Sequence, residues 1–177
     1  MNKAIFLDRD GTINIDYGYV HEKEKFKFID GALEGLKILN DLDYTLIIIT
    51  NQSGIGRKYF TEKEFKILNT YMLEKLREND INIAKVYYCP HIDEDNCNCR
   101  KPGLELFYQA IKEFKIDPST SYAIGDKERD LSICSKLKVK GILLTNDKNN
   151  DYICKSSLLE AAKYIADSNR SEKRWKY

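Results

Sequence analysis

Apolar residues gather in short continuous runs at 4–7, 46–49, 86–88, 122–124 and 141–144, each bounded by polar or turn-forming residues. Their length and β-branched content favour strands buried on both faces over helices. Between the runs the period changes. Ala32, Leu33, Leu36, Ile38 and Leu39 recur at helical spacing, as do Phe65, Leu68, Tyr71, Met72 and Leu76, and then Leu106, Ile111 and Phe114. A fourth helix is expected to begin near Asp130. Thr61-Glu62-Lys63-Glu64 has capping-box spacing before Phe65, and Asp117-Pro118 follows a helix expected to end near Lys115. Strands alternating with helices predict an α/β fold, a three-layer α/β/α arrangement around a mainly parallel sheet. Its connections should be right-handed and its function gathered at the carboxyl ends of the strands.

At 177 residues the chain has room for one domain with a substantial core. The expected organisation is a single catalytic domain over 1–167 and a polar, basic tail over 168–177, where the periodicity fades. Lys and Arg number 29 against 28 Asp and Glu, so no global field draws nucleic acid or a membrane surface. The tail residues Arg170, Lys173, Arg174, Trp175 and Lys176 are too few to change this, since short charged tails are usually solvated. No apolar run has the length of a bilayer span, and the first one meets Asp8 too early for a secretory signal. A cytoplasmic protein without nucleic-acid or membrane partners is expected. Nothing marks a large exposed apolar face, so a monomer is the default.

Candidate chemistry sits at the predicted strand ends. Asp8-Arg9-Asp10-Gly11-Thr12 follows the first strand and places two carboxylates at alternate positions, where both can face one pocket. Alone, such a segment reads as an ordinary turn. The second strand ends in Thr50-Asn51-Gln52-Ser53-Gly54, a hydroxyl and amides suited to phosphoryl oxygens. Arg100 and Lys101 supply cations before the third helix, with a solvated basic pair as the plainer reading. Gly125-Asp126-Lys127-Glu128-Arg129-Asp130 follows the fourth strand. There Asp130 is expected to cap the next helix, which leaves Asp126 for a metal. The combination at one sheet edge is the signal. Separately, Cys89, His91, Cys97 and Cys99 supply four zinc-compatible ligands in one polar loop, enough to fill a structural tetrahedral shell. Buried free thiols beside a surface histidine are the alternative. Cys134 and Cys154 lack such partners and read as packing residues.

In order along the chain, Phe6-Leu7-Asp8-Arg9-Asp10-Gly11-Thr12, Ile49-Thr50-Asn51, Lys101 and Gly125-Asp126 match the pattern of the haloacid dehalogenase superfamily of phosphatases. The resemblance spans residues 4 to about 145 and implies a Rossmann-like fold without a large cap domain. It further implies Asp8 as nucleophile, Asp10 as general acid and base, and Thr50 and Lys101 as phosphoryl stabilisers. Mg²⁺ would be held by Asp8, Asp126 and the backbone carbonyl of Asp10. The cysteine loop looks like the branch acting on histidinol phosphate and on D-glycero-D-manno-heptose 1,7-bisphosphate. Ile15-Asp16-Tyr17-Gly18-Tyr19-Val20-His21, the segment Thr50 to Arg57, and Tyr87-Tyr88-Cys89-Pro90-His91 are similar to the heptose enzymes, whereas the compact stretch between His91 and Cys97 resembles the histidinol-phosphate group. The heptose branch implies removal of the C7 phosphate to supply nucleotide-activated heptose for surface glycans such as lipopolysaccharide. Asp16, Tyr17, Gly18, Tyr19, Asn51, Gln52, Ser53, Arg100 and Lys127 would bind this small phosphorylated sugar, with Arg100 on the distal phosphate. Histidinol phosphate and, more remotely, polynucleotide 3′-phosphate ends remain as alternative substrates. A non-catalytic zinc-bearing module would require loss of a catalytic position.

Overall fold

In a computed structural model, which describes the backbone of residues 1–174 and the side chains of 1–171, all five predicted apolar runs form strands. β1 is Ala4–Leu7, β2 Thr45–Asn51, β3 Ile83–Cys89, β4 Tyr122–Gly125 and β5 Lys140–Leu144. A sixth strand, β6, Ile153–Lys155, was not evident from the pattern. The order is β3-β2-β1-β4-β5-β6 and every pairing is parallel. Leu7 of β1 lies opposite Ile48 on one side and Ile124 on the other. The chain therefore builds outward from β1 in one direction, returns, and builds in the other. The switch point falls between β1 and β4, where open parallel sheets place their ligands.

Alternation along the buried strands divides the core. Ile5, Leu7, Leu46, Ile48 and Ile124 face one layer, while Ala4, Phe6, Ile47, Ile49 and Ala123 face the other. The first layer is closed by α1 (Ala32–Asp41), by α3 (Glu62–Arg77), which follows the single turn α2 (Ser53–Gly56), and later by α5 (Leu158–Arg174). The second is closed by α4 (Glu105–Phe114) and a 3-10 helix, Glu128–Ser135. Thr61 caps α3 through the reciprocal Thr61–Glu64 bonds that its spacing predicts, a device worth about 1 kcal/mol.

Two expectations change. The segment after β4 is a 3-10 helix opened by Lys127, with buried Asp130 in its third position accepting from the Lys127 N–H at 3.0 Å. Asp130 therefore folds back onto the turn from inside the helix, and its other oxygen is free for the active site. Helix α5 also runs through position 168, where the periodicity fades, to Arg174. Arg170 there is 82% exposed beside Asp167. Trp175, Lys176 and Tyr177, and the side chains of Lys173 and Arg174, lie outside the described residues. Among the described residues, no helix is long and apolar enough to cross a membrane.

Candidate active site

The loops after β1, β2, β3 and β4 border one cavity of about 290 Å³ at the carboxyl edge of the sheet. Asp8 enters it directly from the end of β1, its N–H bonded to Ile124 O at 3.1 Å. Lys101 Nζ reaches it from the β3 side and donates to Asp8 Oδ1 at 2.7 Å, to Ile49 O at 2.6 Å and to Asp130 Oδ1 at 2.7 Å. Three oxygens thus surround an ammonium that is 2% exposed. Burial opposes its charge, but Asp8 and Asp130 outweigh that and hold its pKa above the ordinary lysine value. Burial is also the main influence on Asp8, whose carboxyl is pushed up to about 7, with Lys101 pulling down and Asp130 pushing up.

Asn51 secures this lysine through its backbone. The Asn51 amide donates to Lys101 O at 3.0 Å, and its oxygen accepts from Lys101 N–H at 2.9 Å. Both polar ends of the Asn51 side chain are therefore engaged within the protein. Gln52 is similarly occupied, donating to Asp10 Oδ2 at 2.8 Å and to Thr50 Oγ1 at 2.9 Å. This leaves the Thr50 hydroxyl proton available to a ligand. Ser53 also lines the cavity.

Asp10 sits in a cage of donors. Arg9, fully buried, forks onto both of its oxygens at 2.9 and 2.8 Å, and Asn14 donates to Oδ1 at 2.9 Å. Arg9 also donates to Val20 O at 3.0 Å and lies over the Phe65 ring at 5.5 Å. Neither Arg9 nor Asn14 was singled out in the sequence. Alternation along an extended segment would send Arg9 away from Asp10, whereas here the guanidinium bonds the carboxylate of its own chain neighbour.

Gly11 has φ of +83°, and a Cβ placed there would lie 2.5 Å from Asp126 Oδ2. Both the backbone conformation and the approach of Asp126 demand glycine. Gly11→Ala is expected to displace Asp126 and to lower kcat by at least about tenfold, a loss of about 1.4 kcal/mol in transition-state stabilisation. Steady-state rates beside a thermal melt check it.

Asp126 takes an ion pair from Lys127 at 2.7 Å through Oδ2, while its Oδ1 is buried with no hydrogen-bond partner. That hydrogen bond and charge hold Lys127 above the ordinary lysine range. Asp8, Asp126 and Asp130 each offer an oxygen within 4.8 Å of the others. An orphaned carboxylate oxygen among these acids suits a hard divalent cation such as Mg²⁺.

Asp16 and Gly18 reach the cavity rim, with Gly18 N–H bonded to Asp16 Oδ1 at 2.9 Å. Tyr19 lines it as well and meets Tyr59 edge to face at 4.8 Å. Tyr17, 56% exposed, does not line the cavity. Arg100 does, with its guanidinium forked onto Asp93 at 2.6 and 3.1 Å.

The cysteine cluster stands beside the cavity. Cys99 Sγ is 3.1 Å from Cys89, 3.4 Å from Cys97 and 3.2 Å from His91 Nδ1; Cys89 lies 3.5 Å from both Cys97 and His91. Burial raises the Cys89 thiol, whereas Cys97, although partly desolvated, is brought down to about 7 by backbone N–H groups and neighbouring thiols. Three sulfurs and an imidazole nitrogen within 4.8 Å of one another are a donor set compatible with zinc, and their S–S separations of 3.1, 3.4 and 3.5 Å are slightly shorter than the ~3.8 Å expected from Zn–S bonds of about 2.3 Å.

A half-buried carboxylate after the first strand, a caged second carboxylate, a buried lysine and an acidic loop after the adjacent strand define a phosphatase of the haloacid dehalogenase type. The family model described as polynucleotide kinase 3 phosphatase matches residues 3–164. D-glycero-beta-D-manno-heptose-1,7-bisphosphate 7-phosphatase from Haemophilus influenzae is 52% identical over 146 residues, which is 79% of this chain and 79% of that protein. The protein of the same name from Haemophilus ducreyi is 43% identical over 179 residues, 92% of this chain and 98% of its own. A crystal structure of D,D-heptose 1,7-bisphosphate phosphatase from B. bronchiseptica, complexed with magnesium and phosphate, shares the fold at a TM-score of 0.86 and 24% identity, covering 94% of this chain and 99% of that one. The chain belongs to the heptose-bisphosphate phosphatase family of these enzymes.

Proposed function

We propose that this enzyme removes the C7 phosphate of D-glycero-D-manno-heptose 1,7-bisphosphate and leaves the C1 phosphate in place. The observation that carries the reading is the joint presence of the Asp8–Lys101–Asp130 cluster and sequence identity of 43% over 92% of the chain to a heptose-bisphosphate phosphatase. Product heptose 1-phosphate would then supply nucleotide-activated heptose for surface glycans.

Asp8 is the nucleophile. Its free oxygen forms a bond to phosphorus as the bond from phosphorus to the C7 oxygen breaks, and Asp10 delivers a proton to the departing alkoxide. Water then attacks the aspartyl-phosphate, Asp10 takes its proton, and Asp8 is regenerated with release of inorganic phosphate. Arg9, Asn14 and Gln52 fix the Asp10 carboxyl for both transfers. Lys101 and the Thr50 hydroxyl meet phosphoryl oxygens in the transition state, with Asn51 holding Lys101 in register. Mg²⁺, held by Asp8, Asp126 and the Asp10 carbonyl, would neutralise charge that otherwise repels a carboxylate from a phosphate. Asp130 stands within reach of the same cation but is engaged by Lys101, which makes it a support for the lysine. Zinc held by Cys89, His91, Cys97 and Cys99 would brace the loop that delivers Arg100 and Lys101.

The test is initial rates of purified enzyme with Mg²⁺ on both heptose bisphosphate anomers, histidinol phosphate and a 3′-phosphorylated oligonucleotide. One bisphosphate anomer is expected to exceed every other substrate in kcat/KM by about 100-fold or more, with activity abolished by EDTA and restored by Mg²⁺. Preference for histidinol phosphate would replace the substrate reading and leave the chemistry standing.

A further inference from the structure

The cations around the active-site cavity are unequally matched by anions. Lys101 is paired with Asp8 and Asp130, Lys127 with Asp126, and Arg100 with Asp93. Arg57 and Arg129 also line the cavity, yet among the described residues neither makes an ion pair. Single exposed arginines are ordinary, but these converge from different parts of the chain. Arg57 closes α2 after β2, Arg100 follows the cysteine cluster after β3, and Arg129 lies in the 3-10 helix after β4. Asp93 senses all three. Its carboxyl is held below the usual range first by its hydrogen bond from Arg100 and then by the charges of Arg100, Arg57 and Arg129. Three guanidiniums therefore share the neighbourhood of one carboxylate, and that carboxylate is 70% exposed. Like charges are gathered here without an internal partner for each, an arrangement suited to an outside anion that can take several guanidinium contacts.

The inner part of the cavity already accounts for one phosphate, at Asp8, Thr50 and Lys101. We propose that Arg57 and Arg129, together with Arg100, form the subsite for the phosphate that the enzyme leaves in place, and so select substrates bearing two phosphates over those bearing one. This rests on the bisphosphate reading above. Asp93 occupies the Arg100 fork until the second phosphate arrives, and its exposure lets it swing into water when displaced. Arg57 and Arg129 have no such placeholder and provide the initial attraction at the rim.

The test compares wild type with R57Q, R129Q and the double variant on heptose 1,7-bisphosphate and on heptose 7-phosphate, which carries the reacting group alone. Both arginines are exposed, so the variants should melt with wild type. Each single change is expected to lower the bisphosphate-to-monophosphate ratio of kcat/KM by about tenfold and the double by about 100-fold, the scale of one and two charge-assisted contacts. The inhibition constant of heptose 1-phosphate, which carries only the retained phosphate, should rise in parallel. A double variant whose ratio stays within about twofold of wild type overturns the subsite. A wild-type enzyme with no preference for the bisphosphate instead overturns the substrate reading and the subsite with it.

Discussion

Asp8→Asn is expected to lower turnover by on the order of 10⁴-fold or more while leaving the fold intact, as removal of a covalent nucleophile does elsewhere. The amide nearly matches the carboxylate in size and can still accept from Lys101, and Lys101 keeps Asp130 and Ile49 O as partners. No cavity opens and no buried ammonium is stranded. The pH dependence gives a second readout. Burial, with Lys101 opposing and Asp130 assisting, raises the Asp8 carboxyl from 3.8 to about 7. A carboxyl whose folded-state pKa is raised binds its proton more tightly in the folded chain. With divalent cations removed by EDTA, it therefore costs stability progressively as pH climbs from about 4 through 7. The Asn variant carries no such charge, so in EDTA it should melt at or above wild type at pH 8 and converge with it toward pH 4. Thermal melts across this range, beside initial rates with Mg²⁺, provide the check. Near-normal turnover would remove Asp8 from its role.

Disrupting the cysteine cluster should have the second largest effect. Cys99 touches all three other potential ligands and lies two residues before Lys101, so Cys99→Ser strikes both the loop and the cation it delivers. Structural zinc contributes about 10–16 kcal/mol in isolated fingers. Here β3 and α4 already hold the loop's ends, so the cost is smaller. A Tm lowered by more than about 5 °C is expected, with kcat falling about tenfold or more as Lys101 loses its setting. Elemental analysis should find one zinc per wild-type chain and markedly less in the variant. Zinc-free wild-type protein of full activity and unchanged Tm would count against the assignment.

The sheet was largely legible because its strands are continuous apolar runs, a pattern only burial on both faces favours. β6 escaped notice since Ile153-Cys154-Lys155 is too short to display a period. The closing helix α5 buries a face partly made of Ala161 and Ala162, whose small side chains give a faint apolar signal among many charges. In the site, Asp8, Asp10 and Asp126 could be read from their places after strands, Thr50 from the end of the second strand and Lys101 from the cationic pair before the third helix, and the structure brings all five to one cavity. What could not be read was how polar groups spend their bonds. Asn51 and Gln52 line the cavity where ligand contacts were expected, and their further task of fastening Lys101, Asp10 and Thr50 appears only in the fold. Asp130 looked like a cap, yet its second oxygen reaches across to a lysine 29 positions earlier. Local spacing reveals which residues stand at an edge; partners supplied by another loop appear only when the chain is folded.

The switch between β1 and β4 also bears on synthesis. Asp8 precedes Asp126, which shares its acidic cluster, and Asp130, the lysine's second partner, by more than a hundred positions. A nascent chain that has paired β1, β2 and β3 has one flank of β1 open and an incomplete set of acids. The acidic cluster is therefore complete only when β4 docks against β1, and a chain ending before β4 is expected to lack activity however well its first half has folded.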